Sequence, residues 1–258
     1  MDELRIHKRN GTGGLNMRGK LFIVGIGPNG QHNMTFSAYS AIDRADYVVG
    51  YNRYIERISA FVPEDKLVST GMLKEIDRVR EAIRLASEGN CVALISSGDA
   101  GVYGMATLAI EMAEDLDIEI IPGVTAASSA ASILGAPIAL DFAVLSLSDL
   151  LVPFEKIRTR AFHFAKSGVT VCLYNPVSTK RKRQFDEVLE LFKTYRGNFY
   201  IGVVKYAFMK EQESHFFKLS EAPENWKEDL NMMSIVFFCD ENCREKDGKL
   251  FTPRGYRI

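Results

Sequence analysis

Residues 91–112 constrain the fold of this chain more tightly than any other stretch. The apolar run Cys91-Val92-Ala93-Leu94-Ile95 is short and flanked by turn formers, which predicts a buried strand. It leads into Ser96-Ser97-Gly98-Asp99-Ala100-Gly101-Val102-Tyr103-Gly104-Met105, after which Met105, Leu108, Ala109 and Met112 recur at helical spacing. A strand, a loop with three glycines and one carboxylate, and a helix in that order occur where a parallel α/β sheet turns its backbone amides toward a ligand.

The rest of the first half repeats the pattern. Leu21–Val24 and Tyr47–Val49 read as strands, and Thr35 starts a helix carrying Phe36, Tyr39, Ile42 and Ala45. Leu73, Ile76, Val79, Ile83 and Ala86 mark an amphipathic helix ended by Gly89-Asn90. A helix over 104–115, the strand Ile118–Ile121 and a helix from Thr125 to Leu134 follow. This alternation predicts a parallel sheet with helices on both faces. The 125–134 helix is almost entirely small side chains, suited to close packing against a neighbour or a ligand. Gly135-Ala136-Pro137 ends it, and the boundary between a domain at 20–137 and one at 138–258 is expected just beyond. The second half holds strands at Phe142–Leu147, Val169–Tyr174, Phe199–Val204, Phe216–Leu219 and Ile235–Cys239, with one helix over 179–195. Denser strands there predict a mixed sheet.

Gly25-Ile26-Gly27-Pro28-Asn29-Gly30 after the first strand satisfies G-x-G-x-x-G. A dinucleotide site also needs an acidic residue at the end of the second strand, and this strand runs into Gly50-Tyr51-Asn52. Pro28 further removes an amide that would face a pyrophosphate. With Ile121-Pro122-Gly123-Val124-Thr125-Ala126, three strand-to-helix turns lie on one sheet edge and make a crevice. Asp99 reads either as a helix cap or as a carboxylate facing the polar end of a nucleoside-like ligand.

Charge adds little globally. Thirty-two basic against 33 acidic residues give a net charge of -1, which offers nothing to attract nucleic acid. Locally, Lys156, Arg158, Arg160, Lys166 and Lys180-Arg181-Lys182-Arg183 make a basic segment, either a solvated face or a rim for an acidic ligand. The four cysteines form neither a zinc set nor a disulfide framework, which fits a reducing, cytoplasmic compartment. Residues 1–19 are polar, glycine-rich and without the apolar core of a signal peptide, so a flexible extension is expected. No apolar run approaches the length of a membrane span.

The set Gly25-x-Gly27-Pro28-x-Gly30, Ser97-Gly98-Asp99-x-Gly101-x-Tyr103-Gly104 and Pro122-Gly123-Val124-Thr125-Ala126 resembles the tetrapyrrole methylases, which move methyl groups from S-adenosylmethionine to corrin and sirohaem precursors. The runs Gly135-Ala136-Pro137, Asp141 to Leu151, Leu173-Tyr174-Asn175-Pro176 and Asp247 to Tyr256 resemble, within that family, the C17-methylating branch that acts on precorrin-3B or its cobalt counterpart. The resemblance spans roughly residues 20–256. It implies two α/β domains, a cleft between them for cofactor and substrate, and a homodimer. By position it carries the cofactor contacts onto Pro28, Gly98, Asp99, Val102, Thr125, Ala126, Asn175 and Ala207. Ser146, Ser148, Asp149, Arg158 and Arg181 are expected on the substrate side, and His32 is the candidate base, with no metal site. Asn29, Tyr206 and Cys239-Asp240 depart from the family pattern. A sibling methylase with another acceptor, or a non-catalytic binding module that keeps affinity for the donor or the macrocycle, are the competing functions.

Overall fold

A computed structural model describes residues 19–177 and 183–257. The expected extension before residue 19, the start of the helix foreseen at 179, and Lys180, Arg181 and Lys182 lie outside the described residues.

The first sheet is built from β1 (Lys20–Gly25), β2 (Tyr47–Tyr51), β3 (Leu67–Thr70), β4 (Cys91–Ser96) and β5 (Asp117–Ile121). All are parallel, in the order β3-β2-β4-β1-β5. Helices α1 (Phe36–Arg44) and α2 (Asn52–Glu56) cover one face, and α3 (Glu75–Ser87) and α4 (Ala106–Met112) the other. Phe22 and Val24 of β1 point to the first group and Leu21 and Ile23 to the second. Burial on both faces is why β1 and β4 are continuous apolar runs rather than alternating ones. One detail of the α1 reading is corrected. Its packed face is Ala38, Ala41 and Ile42, while Phe36 is 97% exposed, because a close helix-on-sheet contact selects small side chains.

The second sheet is mixed, in the order β10-β9-β11-β8-β7. It comprises β7 (Phe142–Ser146), β8 (Thr170–Tyr174), β9 (Tyr200–Lys205), β10 (Glu213–Lys218) and β11 (Ser234–Phe238). Only β7 and β8 run parallel to each other as neighbours; the other pairings are antiparallel. Helices α6 (Phe154–Ser167) and α7 (Arg183–Arg196) pack on one face. On the other lies α5 (Ala126–Leu134), which leaves the first sheet from β5 but buries Ala127, Ala130, Ala131 and Leu134 against Cys172, Val204 and Phe237 of the second. Gly202 allows this approach, since a Cβ there would meet Leu134 Cδ1 at 2.5 Å. A small third sheet joins β6 (Gly135–Ala136) to β13 (Lys249–Phe251), which pairs with β12 (Arg244–Lys246). Among the described residues no helix is long and apolar enough to cross a membrane.

Candidate functional site

Three turns at the carboxyl ends of β1, β4 and β5 are laced into one unit. Gly27 and Gly98 exchange backbone hydrogen bonds at 3.0 and 2.9 Å, pairing the first turn with the second. The Asp99 carboxylate joins the second to the third: Oδ1 accepts from Gly101 N–H at 2.8 Å and Oδ2 from Gly123 N–H at 3.0 Å. Asp99 is therefore not a helix cap, since α4 starts at Ala106 and is preceded by Met105 without a side-chain cap bond. A side chain on Gly98 would project toward Ala126 N at 3.6 Å and Thr125 Cα at 3.8 Å, into the space between the second turn and the start of α5. Glycine, with φ +66° and no Cβ, leaves that space unfilled.

The opposite wall comes from the second sheet. β7, β8 and β9 all end on the same edge, and their ends carry Ser146, Asn175 and Ala207. Asn175, Tyr206 and Phe208, together with Tyr103 across the cleft, have φ between 51° and 60°. Non-glycine residues in that region are uncommon and strained, and they gather at sites the surrounding structure holds rigid. Two tyrosines close the gap. Tyr174 OH lies 2.7 Å from Thr125 Oγ1 and accepts from Ala127 N–H at 2.8 Å, satisfying a donor of the first turn of α5. Ser146 N–H donates to Tyr103 OH at 3.1 Å, and the two rings sit 5.1 Å apart. Burial raises the pKa of both phenols, so both hydroxyls stay protonated and able to donate.

Of the residues expected to hold the methyl donor, all eight lie on these turn or strand ends: Pro28, Gly98, Asp99, Val102, Thr125 and Ala126 on the first wall, Asn175 and Ala207 on the second. On the substrate side, Ser146 Oγ accepts from Asn175 Nδ2 at 3.0 Å and from Ser148 N–H at 3.2 Å. Asp149 accepts from Gln184 Nε2 at 2.6 Å. Arg158 is exposed on α6, 3.7 Å from Glu155, in a shallow groove with Asp186, Glu187 and Glu190 of α7. Arg160 is the residue of that helix whose charge acts on Tyr103. Arg181 lies outside the described residues. His32 is exposed on the 3-10 turn Gly30–Asn33 that follows Pro28. Sequence reasoning missed Tyr174 and Tyr103 as bridges and Arg57 as a clamp. Arg57 donates from Nη1 to Pro28 O at 3.2 Å and Ser97 Oγ at 3.0 Å. The one signal for the tyrosines was their position at strand and turn ends.

Replacing Asp99 with Asn keeps one acceptor but turns an NH2 group toward a backbone N–H. Asp99→Asn is expected to weaken S-adenosylhomocysteine binding by about tenfold to a hundredfold, the worth of a hydrogen bond to a charged group. Isothermal calorimetry measures this. Unchanged affinity in a folded variant would show that the carboxylate does not shape the donor site.

The strand-end edge of the first sheet and that of the second thus meet through the Tyr174–Thr125 and Tyr103–Ser146 bonds. The Tetrapyrrole (Corrin/Porphyrin) Methylases profile matches residues 20–223, and the chain belongs to that family. Among curated proteins it is 45% identical over 243 residues to the cobalamin biosynthesis protein CbiHC of Archaeoglobus fulgidus, covering 93% of this chain and 53% of that one. It is 39% identical to a probable cobalt-factor III C(17)-methyltransferase of Salmonella typhimurium, covering 92% of this chain and all of that one. The crystal structure of the methyltransferase CobJ superposes with a TM-score of 0.82 at 31% identity, over 91% of this chain and 100% of the other. The chain thus spans about half of the Archaeoglobus relative and the full length of the other two.

Proposed function

We propose that the chain is an S-adenosylmethionine-dependent C-methyltransferase of cobalamin biosynthesis. It would methylate C17 of precorrin-3B or its cobalt-bound counterpart with ring contraction. The two substrates would meet between residues 20–137 and 138–258, in a cytoplasmic homodimer of the kind the family resemblance implies. The observation that carries this reading is the lacing of three turns by the Gly27–Gly98 pair and the Asp99 bridge, opposite the ends of β8 and β9. The likeness to proteins named for the C17 reaction supports the choice of acceptor.

S-adenosylmethionine supplies an activated methyl on a sulfonium, so the protein has to bind and aim rather than create a nucleophile. Pro28, Gly98, Asp99, Val102, Thr125, Ala126, Asn175 and Ala207 would hold it, chiefly through backbone groups. Positioning of this kind is worth up to roughly 7–11 kcal/mol of the barrier. The space that Gly98 leaves open over Thr125 and Ala126 would admit a flat part of the donor, with the Tyr103–Tyr174 pair beside it at the start of α5. Ser146, Ser148 and Asp149, at and just beyond the end of β7, would meet the macrocycle, and His32 is the candidate for taking a proton released from it. Arg158 and Arg181 remain candidates for its carboxylates, Arg158 in competition with the acids of α7.

Incubation with labelled S-adenosylmethionine and purified metal-free or cobalt-bound precursor is the test. The expected product is heavier by one methyl group, carries the label at C17 and has a contracted ring. Label on another carbon would redirect the assignment to a sibling acceptor, and donor binding without transfer would favour a binding module.

A further inference from the structure

Two guanidinium groups stand at the strand-end edge of the first sheet, and among the described residues neither is in an ion pair, the neighbouring Glu56 carboxylate acting on Arg57 only from beyond that distance. Arg57 spends Nη1 on Pro28 O and Ser97 Oγ, whereas its Nη2 faces the Met209 thioether at 4.0 Å. Arg78 of α3 is only 4% exposed. It donates from Nε to Thr70 Oγ1 at 2.7 Å and from Nη2 to Gly71 O at 3.0 Å, and its Nη1 faces the Met105 thioether at 4.0 Å. Two aromatic rings join the arginines. The Arg57 guanidinium lies 5.4 Å from the Tyr54 ring centre and that of Arg78 5.8 Å from the Tyr51 ring centre, and the rings meet edge-on at 5.3 Å. Tyr51 and Thr70 are the paired last residues of β2 and β3, so this ladder lies along the edge that carries Gly27 and Gly98. Among the described residues no carboxylate lies within ion-pair distance of either arginine.

Taking a cation out of water without an opposite charge is unfavourable, and aromatic faces and neutral oxygens offset only part of it. Burial accordingly pushes the Arg57 guanidinium below its ordinary pKa. A thioether is a weak acceptor. Each arginine thus keeps one fork nitrogen on a partner that a carboxylate would displace, and Arg57 does so between the first wall and the Met209 loop of the second. We infer that Arg57 is the anion-recognition residue of the cleft, taking a peripheral carboxylate of a polycarboxylate macrocycle on Nη2, with Arg78 behind it keeping the local potential positive. The macrocycle as ligand class rests on the function proposed above; the anion site rests on the ladder itself.

The test uses the full chain and a fluorescent probe, uroporphyrin with eight carboxylates, against a tetrapyridinium porphyrin of similar size. Arg57→Gln is expected to bind the octacarboxylate about tenfold to a hundredfold more weakly. Arg57→Lys should recover part of that, since charge returns without the fork. Binding of the cationic porphyrin and of S-adenosylhomocysteine should not weaken, and Arg84→Gln, on the outer face of α3, should match the parent. With the corrin precursor, Arg57→Gln should raise KM more than it lowers kcat. Unchanged octacarboxylate affinity overturns the inference. So does an equal loss of S-adenosylhomocysteine affinity, which would mean that Arg57 merely holds the Pro28 and Ser97 turns. Arg57-dependent porphyrin binding without methyl transfer would sink the proposed reaction and leave the anion site standing. Methyl transfer with an unchanged KM in Arg57→Gln would do the reverse.

Discussion

Gly123→Ala is expected to abolish useful donor binding while leaving a folded protein. A Cβ on Gly123 would run into the carbonyl oxygen of Gly98 and come within 2.5 Å of the carbonyl oxygen of Gly25. A Cβ on Gly25 would in turn meet Gly123 N at 2.7 Å and Gly98 O at 2.7 Å. The obstacles are backbone atoms of two other turns, fixed by the β1–β4 ladder and the Gly27–Gly98 pair, and not the ends of flexible side chains. The third turn must back away, which breaks the Gly123 N–H bond to Asp99 and carries Thr125 and Ala126 with it. The packed faces of the sheet lie below, among residues such as Phe22, Val24 and Ile95, so the stability loss should stay near the 1–3 kcal/mol of an overpacked site. A displacement on the order of 1 Å of a positioning wall costs about a hundredfold in rate. Calorimetry with S-adenosylhomocysteine, thermal melting and turnover together read these effects. The control is Gly71→Ala, just beyond β3, whose added methyl would meet nothing within 4 Å and should change little. Equal behaviour of the two variants would show that the tight junction of the turns is irrelevant to the site.

Much of this arrangement was readable in the sequence because buried parallel strands have an unmistakable composition. β1, β4, β8 and β11 have uninterrupted apolar interiors, and the turns after β1, β4 and β5 announce themselves by glycine. What escaped has physical reasons. Helix α6 contacts the core through Ile157, Ala161 and Ala165, and alanine adds little to an apolar pattern while the intervening lysines and arginines dominate it. β3, β12 and β13 span three or four residues each, too few for alternation to register. The first half of β10 is exposed, so only Phe216 onward reads as strand. At α1, large Phe36 and Tyr39 suggested a core face that Ala38 and Ala41 provide. The walls of the site were legible as turns. Their joining was not, because the bonds between Tyr174 and Thr125 and between Tyr103 and Ser146 link residues 49 and 43 positions apart through side chains that no local pattern marks. Arg57 is another such case. Next to Glu56 and just beyond a short helix it looks like an ordinary surface charge, and only the fold brings Pro28, Ser97 and Met209 around it.

The largest loss of stability is expected at Arg196, at the end of α7 and far from the cleft. Its guanidinium donates to five main-chain carbonyls: Nε to Ala165 at 3.1 Å, Nη1 to Phe238 at 3.4 Å and Cys239 at 3.0 Å, Nη2 to Phe164 at 2.5 Å and Val169 at 2.8 Å. Two of these belong to the last turn of α6, where carbonyls have no partner within the helix and where a cation also meets the negative end of the dipole. The others fix the start of β8 and the end of β11, and the Phe192 ring lies 4.5 Å below. One planar fork thus ties a helix end to two strands. Arg196→Met keeps the apolar stem and removes every donor, leaving carbonyls that water reaches only in part. Each orphaned acceptor costs about 1–3 kcal/mol, and with some rehydration the sum should be about 3–5 kcal/mol. For a chain of this size that lowers Tm by roughly 6–20 °C. Arg196→Lys should recover little, because a single ammonium cannot span five acceptors. Cys239 and Val169 sit at the ends of β11 and β8 opposite to Ser234 and Tyr174, so S-adenosylhomocysteine affinity measured well below the melting point should match that of the parent. A Tm within a degree or so of the parent would mean that water replaces the guanidinium without loss. A drop in donor affinity at low temperature would mean that the far edge of the second sheet is coupled to the cleft.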